Sequence, residues 1–269
     1  MIIGTAGHVD HGKSALVEAL TGKRMDRLVE ERRRGITIEL NFAPLDLGEG
    51  QLASVIDVPG HEDLVRTMVA GASGIDCVLL VIAADEGIMP QTEEHLLVAE
   101  MLHVPHGIAV LTKTDAVEAE WLELVREEVA QRIAASPIAF GEPHATSART
   151  GAGVEELRSR LRVLAGAVSA RVTEDLFRLP VDRAFSVAGV GTVVTGTSWS
   201  GSIATGDEVL ALPSGARGRV RSLESHGQQL DRALPGTRVA VGLQGVTREQ
   251  VQRGEQLVTS LYGDRKSVV

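Results

Sequence analysis

Gly7-His8-Val9-Asp10-His11-Gly12-Lys13-Ser14 sets two glycines, a lysine and a hydroxyl at the spacing G-x-x-x-x-G-K-[ST]. Backbone N–H groups in such a loop close around phosphate oxygens. Lys13 then reaches the β/γ-phosphates, and Ser14 offers its hydroxyl to Mg²⁺. A chance glycine-rich turn would share the spacing, but not the setting between an apolar run and an amphipathic stretch. Asp57-Val58-Pro59-Gly60-His61 ends another apolar run. There Asp57 suits a water-mediated Mg²⁺ contact, and Gly60, lacking Cβ, can turn its N–H toward a γ-phosphate. His61 either orients an attacking water or is simply a polar residue opening a helix.

Arg32-Arg33-Arg34-Gly35-Ile36-Thr37 lies between these motifs. The arginines read as a solvated surface, whereas Thr37 stands where a second hydroxyl ligand for Mg²⁺ is needed. A loop tethered through Thr37 is ordered by a nucleoside triphosphate and released on hydrolysis. Thr112-Lys113-Thr114-Asp115 closes a further apolar run. A carboxylate at Asp115 accepts from guanine N1–H and N2–H₂ together, whereas adenine presents an acceptor at N1. The motif therefore selects GTP and GDP, with the Lys113 stem packed on the base. Ser147-Ala148-Arg149 follows the next expected strand and can present a backbone N–H to guanine O6.

Elements that could hold these motifs recur along residues 1–165. Val- and Ile-rich runs at 2–6, 52–57, 78–84 and 108–112 predict buried strands, and helical periodicity marks 13–21, 91–102, 117–135 and 154–164. This alternation predicts an α/β fold: a mainly parallel sheet with helices on both faces and ligands at the strands' carboxyl ends. Beyond about residue 170, Gly- and Pro-marked turns break short Val-rich segments every 8 to 12 residues, the pattern of an all-β barrel. The expected division is a GTP-binding domain over 1–172, a β-barrel over 173–261 and a polar tail over 262–269.

The chain has 269 residues, 43% of them hydrophobic, 23% charged and 3% aromatic, which fits a packed core and offers no aromatic platform for single-stranded bases. The lone Cys77 excludes a disulfide framework and reads as a core residue. Net charge is −9, with −10 over residues 1–172 and +1 over 173–269, so no broad positive field wraps DNA. A specific RNA partner stays open. No apolar run approaches a membrane span, and the expectation is a soluble cytoplasmic protein.

With these motifs assembled, the chain resembles the translational GTPases, through Gly-His-Val-Asp-His-Gly-Lys at 7–13, Arg-Gly-Ile-Thr-Ile at 34–38 and Asp-Val-Pro-Gly-His at 57–61. Within them it is similar to the bacterial selenocysteine-specific elongation factors. That likeness rests on the short segment at 26–31, residues 83–92, Thr-Lys-x-Asp at 112–115, and Val181-Asp182-Arg183-Ala184-Phe185 leading to Gly-Thr-Val-Val-Thr-Gly at 191–196. The resemblance runs from about residue 2 to 260. It implies a monomeric carrier of selenocysteinyl-tRNA to the ribosome in the GTP form, with release after hydrolysis. It implies that Val9 and Ile36 gate His61, so that intrinsic hydrolysis is slow. It also sets Asp182, Arg183 and Arg238 near the aminoacyl group, where cations would attract a selenolate, an anion at neutral pH where serine is neutral. Asp182 and Arg183 are expected to end the barrel's first strand. The plainer alternative makes them a surface ion pair and Arg238 a solvent-facing strand residue.

Two departures stand out. Thr112 replaces the Asn usual in the guanine motif, which shortens its brace to the phosphate loop. The family's later domains, including those that bind an mRNA hairpin, have no counterpart here, so the sequence reads as a truncated form or fragment. Competing readings are elongation factor Tu, the γ subunit of archaeal initiation factor 2, and a non-translational GTP switch such as the regulatory subunit of a sulfate-activating enzyme. The short switch segment and Thr112 disfavour the first, and the absence of a zinc-knuckle cysteine set disfavours the second.

Overall fold

The computed structural model describes residues 1–23, 41–57, 74–168, 173–225 and 227–260. The chain divides into two compact units, Met1–Val168 and Ser169–Val269.

The first unit is built on β1 (Ile2–Ala6), α1 (Lys13–Thr21), β2 (Asn41–Gly48), β3 (Gln51–Asp57), β4 (Cys77–Ala83), α2 (Pro90–Met101), β5 (His106–Thr112), α3 (Ala119–Ala134), β6 (Ala139–Phe140), β7 (His144–Ala145) and α4 (Val154–Ala167). Its sheet runs β2-β3-β1-β4-β5-β6, with β7 also paired to β5. β1 lies parallel to both β3 and β4, and β5 parallel to β4, whereas β2 is antiparallel to β3. The chain leaves β1 for one side of the sheet and later crosses to the other. The carboxyl end of β1 is thus a topological switch point, where open α/β sheets form ligand crevices.

Alternation along β4 explains why both faces are covered. Val78, Leu80 and Ile82 join the cluster under α2 and α3, with Leu96, Val125, Val129 and Ile133. Cys77, Leu79 and Val81 join the opposite cluster under α1 and α4, with Leu16, Val17, Leu20, Leu157 and Leu161. Cys77 is fully buried, and burial pushes its thiol up to about 12, so it is an inert core residue. The strand β2 went unread in the sequence: it alternates buried positions with half-buried or exposed ones around Pro44. As an edge strand paired only with β3, it tolerates the missing N–H of Pro44.

The second unit comprises β8 (Arg178–Val187), β9 (Gly191–Thr197), β10 (Ile203–Ala204), β11 (Glu208–Leu212), β12 (Arg217–Ser225), β13 (Gln228–Leu230), β14 (Arg232–Ala233), β15 (Arg238–Gln244) and β16 (Gln256–Thr259). The strands follow the order β11-β16-β8-β9-β15-β12, and β12 pairs back onto β11, closing a six-stranded barrel. Phe177, Leu179, Val194, Val209, Val241, Leu243 and Leu257 fill it. Asp182 and Arg183 do not end the first strand, as the sequence reading had them. They lie inside β8, at a register shift between Val181 and Arg183. Such a bulge re-aims a side chain without ending the strand.

Candidate functional site

The phosphate loop leaves β1 at its carboxyl end. Gly7 has φ +133°, and a Cβ there would sit 2.1 Å from the Val81 carbonyl oxygen, so only glycine lets the loop lie against β4. Gly12, at φ +82°, caps the start of α1, and Asp10 also adopts a left-handed conformation. His8 and Val9 are half-buried, and Lys13 is buried inside the turn. Its ammonium donates to the carbonyls of Gly7 at 3.0 Å and His8 at 2.6 Å. Burial pulls the Lys13 pKa down to about 8, against the opposing pull of Asp57 and Asp10.

Asp57, at the end of β3, is fully buried. Its Oδ2 accepts from the Ser14 hydroxyl at 2.7 Å, and its Oδ1 from the Thr5 hydroxyl at 3.0 Å. A hydroxyl and a carboxylate at that separation supply hard oxygen donors, the kind Mg²⁺ takes together with phosphate oxygens. The donor set therefore fits the ion. Thr5 escaped the sequence reading, although a hydroxyl inside the buried run Ile2–Ala6 was a signal available there.

Two further residues hold the loop from α2. The Gly7 N–H donates to His95 Nδ1 at 3.0 Å, and the Val9 N–H to Gln91 Oε1 at 3.0 Å. Gln91 and His95 are one helical turn apart and so share a face. Burial pushes the His95 pKa down to about 4, helped by the charge of Lys13. The ring is thus neutral, with an unprotonated Nδ1 as acceptor. His11, also fully buried, is lowered to about 4 by burial, and its ring meets His8 edge-on at 5.1 Å between centroids. Neither Gln91 nor His95 was singled out from sequence; their partners lie 82 and 88 positions away.

The residues expected to read the base follow β5 and β7. The Thr112 hydroxyl donates to the His11 carbonyl at 2.7 Å, tying the guanine motif to the phosphate loop. Lys113 adopts φ +55°, and its ammonium lies 3.4 Å from Asp85 and 3.2 Å from Glu86. Asp115 accepts from the Ser147 hydroxyl and pairs with Arg149. The Ser147 hydrogen bond is the main cause holding the Asp115 carboxyl below its ordinary pKa, with Arg149 adding to it. Ala148 is half-buried between these two. Lys13, Ser14, Asp57, Thr112, Asp115 and Ser147 are thus brought to one end of the sheet. Ile36, Thr37, Gly60 and His61 lie outside the described residues.

In the barrel, Arg238 on β15 forms a two-point ion pair with Asp182: Nη2 donates to Oδ1 at 3.1 Å, and Nη1 bonds Oδ2. The Thr195 hydroxyl donates to the same Asp182 Oδ1 at 2.7 Å. Asp182 and Arg238 are 10% and 13% exposed, so Arg238 is a shielded partner of Asp182 and not a solvent-facing residue. Arg183, next to Asp182 on β8, is exposed.

Residues 1–167 match the family described as elongation factor Tu GTP binding domain, and residues 191–258 match elongation factor Tu domain 2. The selenocysteine-specific elongation factor of Desulfomicrobium baculatum is 53% identical over 257 residues, covering 96% of this chain and 40% of that protein. Its counterpart from Escherichia coli is 40% identical over 262 residues, covering 97% and 42%. This chain therefore spans about two-fifths of the length of these relatives. Among solved structures, a bacterial selenocysteine-specific elongation factor superposes with a TM-score of 0.91 at 38% identity, covering 97% of this chain and 45% of that one. Elongation factor SelB from Methanococcus maripaludis, in complex with the GTP analogue GppNHp, gives 0.83 at 32% identity, covering 97% and 55%. The chain belongs to the translational GTPases, the family of elongation factor Tu, and resembles within it the selenocysteine-specific elongation factors.

Proposed function

We propose that this chain binds and hydrolyses GTP and, in its GTP form, carries selenocysteinyl-tRNA to the ribosome. The observation that carries the nucleotide half is the convergence of Lys13, the Ser14–Asp57 pair and Asp115 at one sheet end. Lys13 and the loop N–H groups neutralise the phosphates, and Ser14, Thr37 and Asp57 hold Mg²⁺ directly or through water. Bound there, the ion would offset charge that builds on the β/γ oxygens during transfer. Asp115 reads the guanine edge, with a backbone N–H of Ser147-Ala148-Arg149 offered to O6. His61 orients the attacking water behind the apolar gate of Val9 and Ile36, and the ribosome triggers its entry.

The selenocysteine half rests on the likeness to the named relatives and on the paired Asp182–Arg238 beside exposed Arg183. Of the two arginines, Arg183 is the one exposed to solvent, and in this reading it meets the selenolate. Residues 1–172 then form the nucleotide domain and 173–261 the aminoacyl domain. The reading implies a cytoplasmic protein acting as a monomer, without membrane or DNA as partner, and leaves mRNA-hairpin binding to domains outside this chain. Among the described residues no helix is long and apolar enough to cross a membrane.

Protection of the aminoacyl ester tests the proposal. With GTP, the protein should slow deacylation of selenocysteinyl-tRNA and not of seryl-tRNA on the same tRNA body. Arg183→Ala should weaken the first by about 1.5–3 kcal/mol, the worth of a charge-assisted hydrogen bond. Equal protection of both tRNAs refutes the selectivity.

A further inference from the structure

Asp115 is engaged from two sides by consecutive parts of one turn. On the inner side the Ser147 hydroxyl donates to Oδ1 from a position only 1% exposed. Ser147 is itself fixed: its N–H donates to the Ala152 carbonyl at 2.9 Å, its carbonyl accepts from Gly151 at 2.8 Å, and its hydroxyl accepts from the Thr150 N–H at 3.1 Å. On the outer side Arg149 Nη2 lies 2.5 Å from Oδ2, with its side chain 77% exposed. Among the described residues the Arg149 side chain has no other partner. Ser147 is therefore a buried support held at three points, whereas Arg149 reaches the carboxylate as a solvent-exposed side chain.

A guanidinium presents planar, adjacent N–H donors that match a carboxylate. The edge of guanine presents N1–H and N2–H₂ in the same manner. We propose that Arg149, through Nη2 on Oδ2, occupies one of the acceptors that the guanine edge would use, and is a latch on Asp115 that an incoming guanine nucleotide must displace. This rests on the reading of Asp115 as the base-selecting residue. The latch makes the binding-competent carboxylate only a fraction of the population, and apparent association slows by that fraction. Dissociation is unaffected, because the latch is already open in the complex. An exposed ion pair shifts such an equilibrium about two- to fivefold, and salt screens it.

Stopped-flow binding of fluorescent mant-GDP and mant-GTP to the full chain tests the latch. Arg149→Met keeps the apolar stem and removes the donors. It should raise the association rate constant about two- to fivefold, leave the dissociation rate constant unchanged, and lose its advantage over the parent at about 1 M salt. Arg149→Lys should fall between the two. Slower association would mean that Arg149 attracts the anionic ligand, faster dissociation that it stacks on the bound base, and unchanged rates that the pair has no effect; each overturns the latch. Asp115→Asn is the control for the underlying reading: it should shift preference from GTP toward xanthosine triphosphate by about a hundredfold or more. A variant that still prefers GTP would dismiss the base-reading role itself, whatever Arg149→Met does.

Discussion

Mild acid should loosen the nucleotide unit through two histidines that carry no charge in the fold. His11 and His95 are buried, and burial holds both near pKa 4, against about 6.5 in an unfolded chain. Between those values the unfolded chain binds more protons than the native one, so stability falls as pH drops from about 6.5 toward 4. Moving from pH 7.5 to 5 costs about 2 kcal/mol for one such group and about 4 for both, against a total of about 5–15 kcal/mol for a domain. His95→Gln removes one titrating ring and keeps an acceptor for the Gly7 N–H. Its pH-dependent loss should therefore be about half that of the parent. Urea unfolding at both pH values measures it, followed by Trp121 fluorescence in a Trp199→Phe background so that the signal reports the first unit. A parent whose midpoint is flat between pH 7.5 and 5, or a variant with the parent's full slope, would show that these imidazoles take up protons in place.

Thr112→Val keeps the shape of the side chain and leaves the buried His11 carbonyl without its 2.7 Å donor. It should cost about 1–3 kcal/mol of stability in chemical denaturation and release GDP faster, as read by displacement of a fluorescent analogue. His61→Ala should leave GTP affinity nearly unchanged and abolish ribosome-stimulated hydrolysis, because the ring acts on the water and not on the ground-state nucleotide. Phosphate release with and without ribosomes checks this.

The nucleotide unit was largely legible in the sequence because parallel strands buried on both faces appear as unbroken apolar runs, as Cys77–Ala83 does. Its chemical residues sit at fixed offsets from the ends of such runs, so motif and strand locate each other. β2 was not legible: Pro44 argues against a strand until the neighbouring strand shows that it is an edge. The contacts of Gln91 and His95 were hidden for another reason. Helical periodicity says which face a residue occupies, not which distant N–H it meets. The bulge at Asp182 was equally silent, since an extra residue in one strand is defined only against its partner. The pairing of Asp182 with Arg238, 56 positions apart, was hidden likewise, since only the barrel's register brings the two together.

The order of strands around the barrel has a consequence for its use as a module. Its first strand, β8, is hydrogen-bonded to its last, β16, with Arg178 opposite Val258 and Leu179 opposite Leu257. The polypeptide thus enters and leaves the ring at neighbouring points, as wire enters and leaves a socket. A unit of that kind can be spliced into a single turn of a host protein without stretching either connection, and new ends can be opened at another turn once the old ones are joined by a short linker. Recombination that moves residues 177–259 as one segment transfers a whole barrel, and the joint it leaves in the donor spans only the spacing of two adjacent strands, about 5 Å.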